Sequence, residues 1–274
     1  MPNRPLTESD LDELLGTTFL KSVRHFSQTD STNGQAIELL GSGSDIETPC
    51  LIYTESQTAG RGRGANQWWS QAGSLTFSVI VDTQEFGLTP EQQIKLPLLT
   101  GLAVLRTCES VIGESADLKN AIQLKWPNDV FLAGRKLAGI LIEVPSAKSA
   151  ESSSRHAVIG VGMNVNNTWK NAPDELQETG ISLADHMGAD TDRLDILKTF
   201  LGHLEKQIRS LSKGLPVLDG WSEHCLLTGK RVTLLVGDQE ILGECLGLAP
   251  NGALMLKTAQ GTRQFIGGIV KSWD

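Results

Sequence analysis

Apolar residues change period several times along the chain, and each change marks an element. Residues 8–16 (Glu-Ser-Asp-Leu-Asp-Glu-Leu-Leu-Gly) predict a short acidic helix closed by Gly16. Val23–Phe26 reads as a strand. Asp30-Ser31-Thr32-Asn33 then opens a helix over Gln35–Leu40 with a polar N-terminus. Leu51–Thr54 and Leu75–Val81 are apolar enough for sheet strands. Between Pro90 and Val111, Ile94, Leu98, Leu102 and Leu105 recur at helical spacing and predict one long helix. Three short strands follow over Ile122–Trp126, Val130–Leu132 and Leu137–Glu143. The Ser/Ala-rich stretch Ser146–Arg155 reads as a loose hairpin tip, and Ala157–Val165 resumes the sheet. Residues 175–224 are mostly helical, with Ile196, Phe200, Leu204 and Ile208 on one face.

After Trp221 the texture changes. Arg231–Val236, Glu240–Leu248, Ala253–Lys257 and Arg263–Ile266 predict four short strands, with turns at Gly237-Asp238 and Asn251-Gly252. Such a segment suits a small barrel, which places a domain boundary near residue 225. No repeat is visible.

Composition narrows the function. The chain has 274 residues, 39% of them apolar, and 24 basic against 32 acidic side chains give a net charge of −8. That balance argues against broad nucleic-acid binding but leaves room for a local basic pocket. Cys50, Cys108, Cys225 and Cys245 make no metal-ligand spacing and read as reduced thiols of a cytoplasmic protein. The N-terminus lacks an apolar signal core, and no segment has the ~20 apolar residues that span a bilayer.

Five segments carry candidate chemistry. Gly60-Arg61-Gly62-Arg63-Gly64 combines glycines, which let main-chain N–H groups converge on an anion, with two forked cations suited to phosphate oxygens. No acidic residue follows Glu55 before the next strand to cancel that charge, so the loop can wrap a nucleotide. Lys125-Trp126-Pro127-Asn128-Asp129 presents two polar side chains from a stiff corner, although a plain Pro-Asn-Asp turn would look the same. Lys136-Leu-Ala-Gly139 heads an apolar strand with a lysine, in a place where a solvated lysine is common. Gly139 leaves room for a ligand. Gly160 and Gly162, in Ile159-Gly-Val-Gly-Met-Asn164, would let a flat ligand lie on a strand, or would mark a bulge. Ser31-Thr32-Asn33 alone would be a helix cap.

These motifs occur once each and in this order, an arrangement that resembles biotin protein ligase, the biotin–[acetyl-CoA-carboxylase] ligase family, from about residue 20 to the end. The resemblance implies an α+β fold. A mixed, mostly antiparallel sheet flanked by helices would form the catalytic domain over residues 1–225, with a small SH3-like β-barrel over 226–274. It implies ATP-dependent ligation of biotin to a lysine of a biotin carboxyl carrier domain, through biotinyl-5'-AMP, with Mg²⁺ entering alongside ATP near Asp129. Ser31, Thr32, Asn33, Gln57, Gly60, Arg61, Gly62 and Arg63 would line the biotin and adenylate site. Lys136 would hold the biotin carboxylate and α-phosphate oxygens, and Gly139, Gly160 and Val161 would wall the biotin. Trp68, Lys125, Asn128 and Asn164 would join Arg61, Arg63 and Lys136 around the nucleotide. Arg61, Arg63, Lys136 and Asp129 are the expected catalytic set, Asp129 orienting the incoming lysine or taking its proton. Neither nucleic acid nor membrane is an expected partner, and a homodimer is compatible with the family.

Three departures from the family pattern stand out, one of them at the end of the last strand, Gly267-Gly-Ile-Val-Lys-Ser-Trp273, where repressor-type members carry an arginine near the C-terminus. The loop tail Gly64-Ala-Asn-Gln67 before Trp68 is closer to the eukaryotic version than to the bacterial Arg-Gly-Arg tail. Thr179-Gly-Ile-Ser-Leu183 lacks the tryptophan that repressor-type members place near adenine, so adenine must stack elsewhere. Two other readings compete. A lipoate or octanoate ligase or transferase of the same fold would carry a glycine triplet, and none is present. A biotin-sensing transcriptional repressor needs a DNA-reading domain, for which the residues before the first strand are too few. A third class, a non-catalytic binding module, is opposed by the two arginines and Lys136. The five histidines (His25, His156, His186, His203 and His224) lie outside all five motifs, which fits a reaction with no covalent enzyme intermediate.

Overall fold

The computed structural model describes residues 4–43, 45–113, 121–145, 155–169 and 172–274. The hairpin tip expected at Ser146–Arg155 falls almost wholly outside them. Helix α1 (Glu8–Thr17) is capped by Thr7 and Asp10 and tied to Arg4. Strand β1 (Ser22–Phe26) leads to helix α2 (Thr32–Gly41), whose N-terminus is capped by Ser31. Strands β2 (Cys50–Thr54) and β3 (Leu75–Asp82) bracket the glycine–arginine segment. Strands β4 (Ile122–Lys125), β5 (Asp129–Leu132), β6 (Arg135–Glu143) and β7 (His156–Met163) complete a seven-stranded sheet of order β1-β2-β3-β7-β6-β5-β4. Only the β1–β2 pair is parallel.

The sheet's two faces follow from side-chain alternation along its strands. On β2, Leu51 and Tyr53 enter the main core, while Cys50 and Ile52 pack with Ala36 of α2 on the other side. On β7, Ala157, Ile159 and Val161 belong to the main core and Val158 to the α2 side. Gly160 and Gly162 therefore face the α2 side, and the register sets Leu141 and Gly139 of β6 beside them. Two helices cover the core face: α4 (Leu96–Ile112) and α7 (Arg193–Ser212), with Phe200 edge-on to Phe77 at 5.2 Å. The expected single helix over Pro90–Val111 is two, α3 (Pro90–Gln93) and α4, because Pro97 sits in the first turn of α4 and the chain turns at Ile94-Lys95. Ile94, expected on the buried stripe, is 49% exposed.

Short helices α5 (Asp174–Gln177), α6 (Leu183–Met187) and α8 (Asp219–His224) complete the helical set among the described residues. Trp221 of α8 is fully buried and donates to the Leu98 carbonyl at 2.8 Å. Beyond it lies a second antiparallel sheet of five strands, β8 (Arg231–Val236), β9 (Gln239–Leu248), β10 (Leu254–Thr258), β11 (Gly261–Phe265) and β12 (Ile269–Trp273), in the order β11-β10-β9-β8-β12. Ile269–Trp273, expected as the end of the fourth strand, is a fifth strand of its own, β12. Its edge and that of β11 do not pair among the described residues, so the expected barrel is an open sheet. No described helix is long and apolar enough to cross a membrane.

Arg193 at the start of α7 is 2% exposed. It donates to Glu55 Oε2 at 2.9 Å, to the Ser74 carbonyl at 3.1 Å and to Tyr53 Oη at 3.2 Å. Glu55 and Ser74 are the two ends of the segment between β2 and β3. One buried guanidinium therefore fixes the root from which the glycine–arginine loop projects.

Candidate active site

A cleft of about 1200 Å³ opens on the α2 face of the first sheet. That exceeds the roughly 300–1000 Å³ of a single small-ligand site. Its floor is the run of small residues that alternation brings to this face: Thr76 on β3, Gly160 and Gly162 on β7, Gly139 on β6.

Residues 60–68 form a tight hairpin across the cleft. Trp68 N–H donates to the Gly60 carbonyl at 2.9 Å and Gly62 N–H to the Asn66 carbonyl at 2.8 Å, while Gly64 turns the tip with φ +63°. A methyl group on Gly60 would lie 2.7 Å from Gln57 Nε2, so glycine is needed for this closure. Three anchors pin the hairpin to the body. Arg61 Nη2 meets Glu143 Oε2 at 2.6 Å. Arg63 Nη1 reaches the Gly268 carbonyl of the second sheet at 3.4 Å. The Trp68 ring lies on Gly162 and Gly139, where a Cβ at residue 162 would come 2.5 Å from Trp68 Nε1.

Beneath the hairpin a polar chain starts at the N-terminus of α2. Gln57 Oε1 accepts from Thr32 N–H at 2.8 Å and caps the helix from outside. Ser78 Oγ lies 2.8 Å from Thr32 Oγ1 and donates to Asn33 Oδ1 at 2.6 Å. Asn33 Nδ2 donates to Glu143 Oε2 at 2.8 Å and to the Leu141 carbonyl at 3.2 Å. The Asn33 carboxamide fills the space above Gly160, and Trp68 fills that above Gly162. The room expected there for a flat ligand is thus taken by side chains of this chain. Val161 turns into the main core and offers the cleft only its backbone.

The opposite wall is built by the β5–β6 hairpin. Ala133 and Gly134 both adopt left-handed geometry (φ 49° and 76°), the form that a two-residue turn requires. This tight turn, together with a bulge after Val130, brings Lys136 Nζ to 2.7 Å from Asp129 Oδ1. Lys125 Nζ sits 4.2 Å from the Trp273 ring centre and 5.7 Å from that of Phe131, and burial holds its pKa below the ordinary lysine value. Trp126 is buried and donates to the Gly252 carbonyl at 3.2 Å, so this motif also seats the second sheet. Asn128 donates to the Ile140 carbonyl at 2.7 Å, and fully buried Asn164 to the Lys136 carbonyl at 3.3 Å. Both amides are committed to holding strands.

Charge is concentrated here. Arg61, Arg63, Lys125 and Lys136 line the cleft against Asp129 and Glu178, in a chain whose formal charge is −8. A site of this sign, walled by low-dielectric protein, attracts a polyanion such as a nucleoside triphosphate.

The model of the biotin/lipoate A/B protein ligase family matches residues 26–164, half of the chain, and that of the biotin protein ligase C-terminal domain matches residues 227–271. The chain belongs to the biotin/lipoate A/B protein ligase family. It is 36% identical over 262 residues to the biotin–[acetyl-CoA-carboxylase] ligase of Mycobacterium tuberculosis, covering 92% of this chain and 90% of that one. The bifunctional ligase/repressor BirA of Bacillus subtilis is 31% identical over 236 residues, 85% of this chain and 69% of the relative. A structure of the Aquifex aeolicus biotin protein ligase in complex with biotin and ATP superposes with a TM-score of 0.75 at 26% identity, covering 93% and 99% of the two chains.

All the residues that the family resemblance singled out converge on this cleft, except that Gly60 shapes the hairpin from behind it. Sequence reasoning missed several others. Glu143 was read only as the end of a strand. Trp169 lies over Gly180, in the stretch that lacks a tryptophan of its own, and its ring is tilted by 45° against that of Trp69 with ring centres 5.2 Å apart. Trp273, on β12, also lines the cleft.

Proposed function

We propose that this chain activates biotin as biotinyl-5'-AMP and transfers it to a lysine of a biotin carboxyl carrier domain, such as that of acetyl-CoA carboxylase. The observation that carries this reading is the cationic cleft itself, where Lys136 and the two-arginine hairpin converge in a chain of this family. The family model alone spans biotin and lipoate ligases. The match of the second sheet to the biotin ligase C-terminal domain favours biotin. Residues 1–225 then form the catalytic unit, and residues 226–274 a cover that reaches the site through Gly268 and Trp273. The free cysteines suit work in the cytoplasm.

A carboxylate does not acylate an amine in water because its leaving group is too poor. Attack of the biotin carboxylate on the α-phosphorus of ATP expels pyrophosphate and creates a mixed anhydride. That step brings two anions together. Lys136, Arg61 and Arg63 offset the repulsion and hold the oxygens on which charge grows, with Mg²⁺ carried in on ATP. Holding both substrates in attack geometry supplies a further ~7–11 kcal/mol. In the second step a carrier lysine attacks the acyl carbon and AMP departs. Asp129, already at hydrogen-bond distance from one ammonium, is placed to orient that amine or accept its proton. Ser31, Thr32 and Gln57 offer polar contacts to the biotin head. Trp169, backed by Trp69, offers the adenine an aromatic surface. Between steps the pinned hairpin keeps water from the anhydride.

The test is incubation with ATP, Mg²⁺, labelled biotin and a panel of carrier domains, followed by mass spectrometry. Label on one carrier lysine, dependent on ATP, is expected. Lipoyl transfer in place of biotin would shift the reading to the other branch of the family, and no transfer at all would refute it.

A further inference from the structure

Glu143, the partner of Arg61, has no part in the chemistry above. Glu143 is the last residue of β6, on the same face as Gly139 and Leu141, at the edge of the cleft. One of its oxygens, Oε2, accepts from two donors: Arg61 Nη2 at 2.6 Å and Asn33 Nδ2 at 2.8 Å. These partners differ in kind. Asn33 is 3% exposed and held by Ser78 and the Leu141 carbonyl, so it aims the carboxylate from below. Arg61 belongs to the hairpin above.

The hairpin's other anchors are weaker in kind. Arg63 meets a neutral carbonyl at 3.4 Å, and Trp68 rests on glycines by contact alone. Among the described residues, Arg61–Glu143 is the single ion pair that ties residues 60–68 to the body. Charge-assisted hydrogen bonds are about twice as strong as neutral ones. Only Nη2 of the guanidinium is engaged, which leaves its remaining donors to turn toward a ligand.

We propose that Glu143 is a positioning residue: by gripping Arg61 it sets the closed position of the glycine–arginine hairpin and so governs how long the activated acyl-adenylate is retained. This rests on the ligase reading, but its first test does not need that reading to be right.

Arg61 is itself a trypsin site. In Glu143→Gln, tryptic cleavage after Arg61 in the ligand-free protein should run about five- to tenfold faster than in wild type. The wild-type rate should climb as sodium chloride rises from about 0.05 to about 0.5 M, because screening loosens the pair, while the variant's rate relative to a peptide control stays flat. Equal cleavage rates, or the same salt response in both proteins, would overturn the proposal. If Glu143→Gln melts too low to compare, Glu143→Asp carries the test. It keeps the charge but draws it back by one methylene, and an intermediate rate is expected; a wild-type rate there would also overturn it. With substrates, Glu143→Gln should keep biotin-dependent ATP–pyrophosphate exchange within about threefold but release adenylate several-fold faster, read as labelling of bystander lysines. Loss of exchange with no gain in release would make Glu143 merely structural. Absence of exchange in wild type would instead count against the ligase reading and leave the proteolysis result to decide the latch.

Discussion

Gly160→Ala puts one methyl group where the structure has no room for it. The added carbon would stand 2.8 Å from the Asn33 carboxamide carbon and 3.0 Å from Nδ2, with Oδ1 closer still. Carbon contacts settle near 3.5 Å, so the carboxamide must retreat by about 1 Å. Asn33 cannot do so and keep its bonds to Ser78 at 2.6 Å, Glu143 at 2.8 Å and the Leu141 carbonyl at 3.2 Å. Neutral bonds are worth about 1 kcal/mol each and the bond to a carboxylate about 1.5–3, so the loss is roughly 3–5 kcal/mol. The entropic gain of replacing glycine, about 0.4–1 kcal/mol, does not offset it. Thermal unfolding should therefore fall by on the order of 10 °C. The sharper assay is a double-mutant cycle with Asn33→Ala. Once the carboxamide is gone the methyl has space, so Gly160→Ala should then cost almost nothing, with a coupling of about 2 kcal/mol or more. A single-mutant cost below about 0.5 kcal/mol, or strictly additive effects, would refute the packing argument.

Three other outcomes follow from the same geometry. Lys136→Ala should cut biotin-dependent ATP–pyrophosphate exchange by about 10²–10³-fold while the protein still melts cooperatively, since it removes a donor aimed at the forming anhydride; normal exchange would remove Lys136 from the site. Trp169→Ala should raise the KM for ATP roughly tenfold, in line with the loss of one base-stacking ring, and leave biotin binding measured without nucleotide unchanged. Asp10→Asn should destabilise the protein at neutral pH. Arg4 and Thr7 hold the Asp10 carboxyl far below its ordinary value, so its contribution is complete above about pH 4, the unfolded value, and fades as pH falls further. Urea titrations of the two proteins should diverge at pH 7 and converge in strong acid.

Much of this site could be read from the chain before its structure. The strands that carry Lys125–Asp129, Lys136–Gly139 and Gly160–Gly162 were found because each joins an apolar run to an unusual polar or glycine residue. What filled the space above those glycines was not readable. Asn33 lies over Gly160 only because α2 packs on β3 and β7, a tertiary fact that no local pattern encodes. Glu143 and Arg61 are separated by 82 positions and meet through sheet register. Trp169 lies against Gly180 through the fold of the chain, a contact that spacing within a motif cannot reveal. The break between α3 and α4 was within reach, since Pro97 marks a helix start; the apolar spacing through Ile94 outweighed it. Ile269–Trp273 reads as the tail of the preceding strand, but Gly268 at φ 151° separates it as β12, on which Trp273 packs on Lys125.

In the proposed reaction the cationic hairpin and the lysine of β6 together hold the activated biotin. A crystal structure of the complex with biotinyl-5'-AMP measures this most directly. The expected result is the acyl-phosphate within hydrogen-bond reach of Lys136 Nζ, with residues 60–68 folded over it. Ligand bound elsewhere, or bound in the cleft while Lys136 stays paired to Asp129 and out of contact, would contradict it.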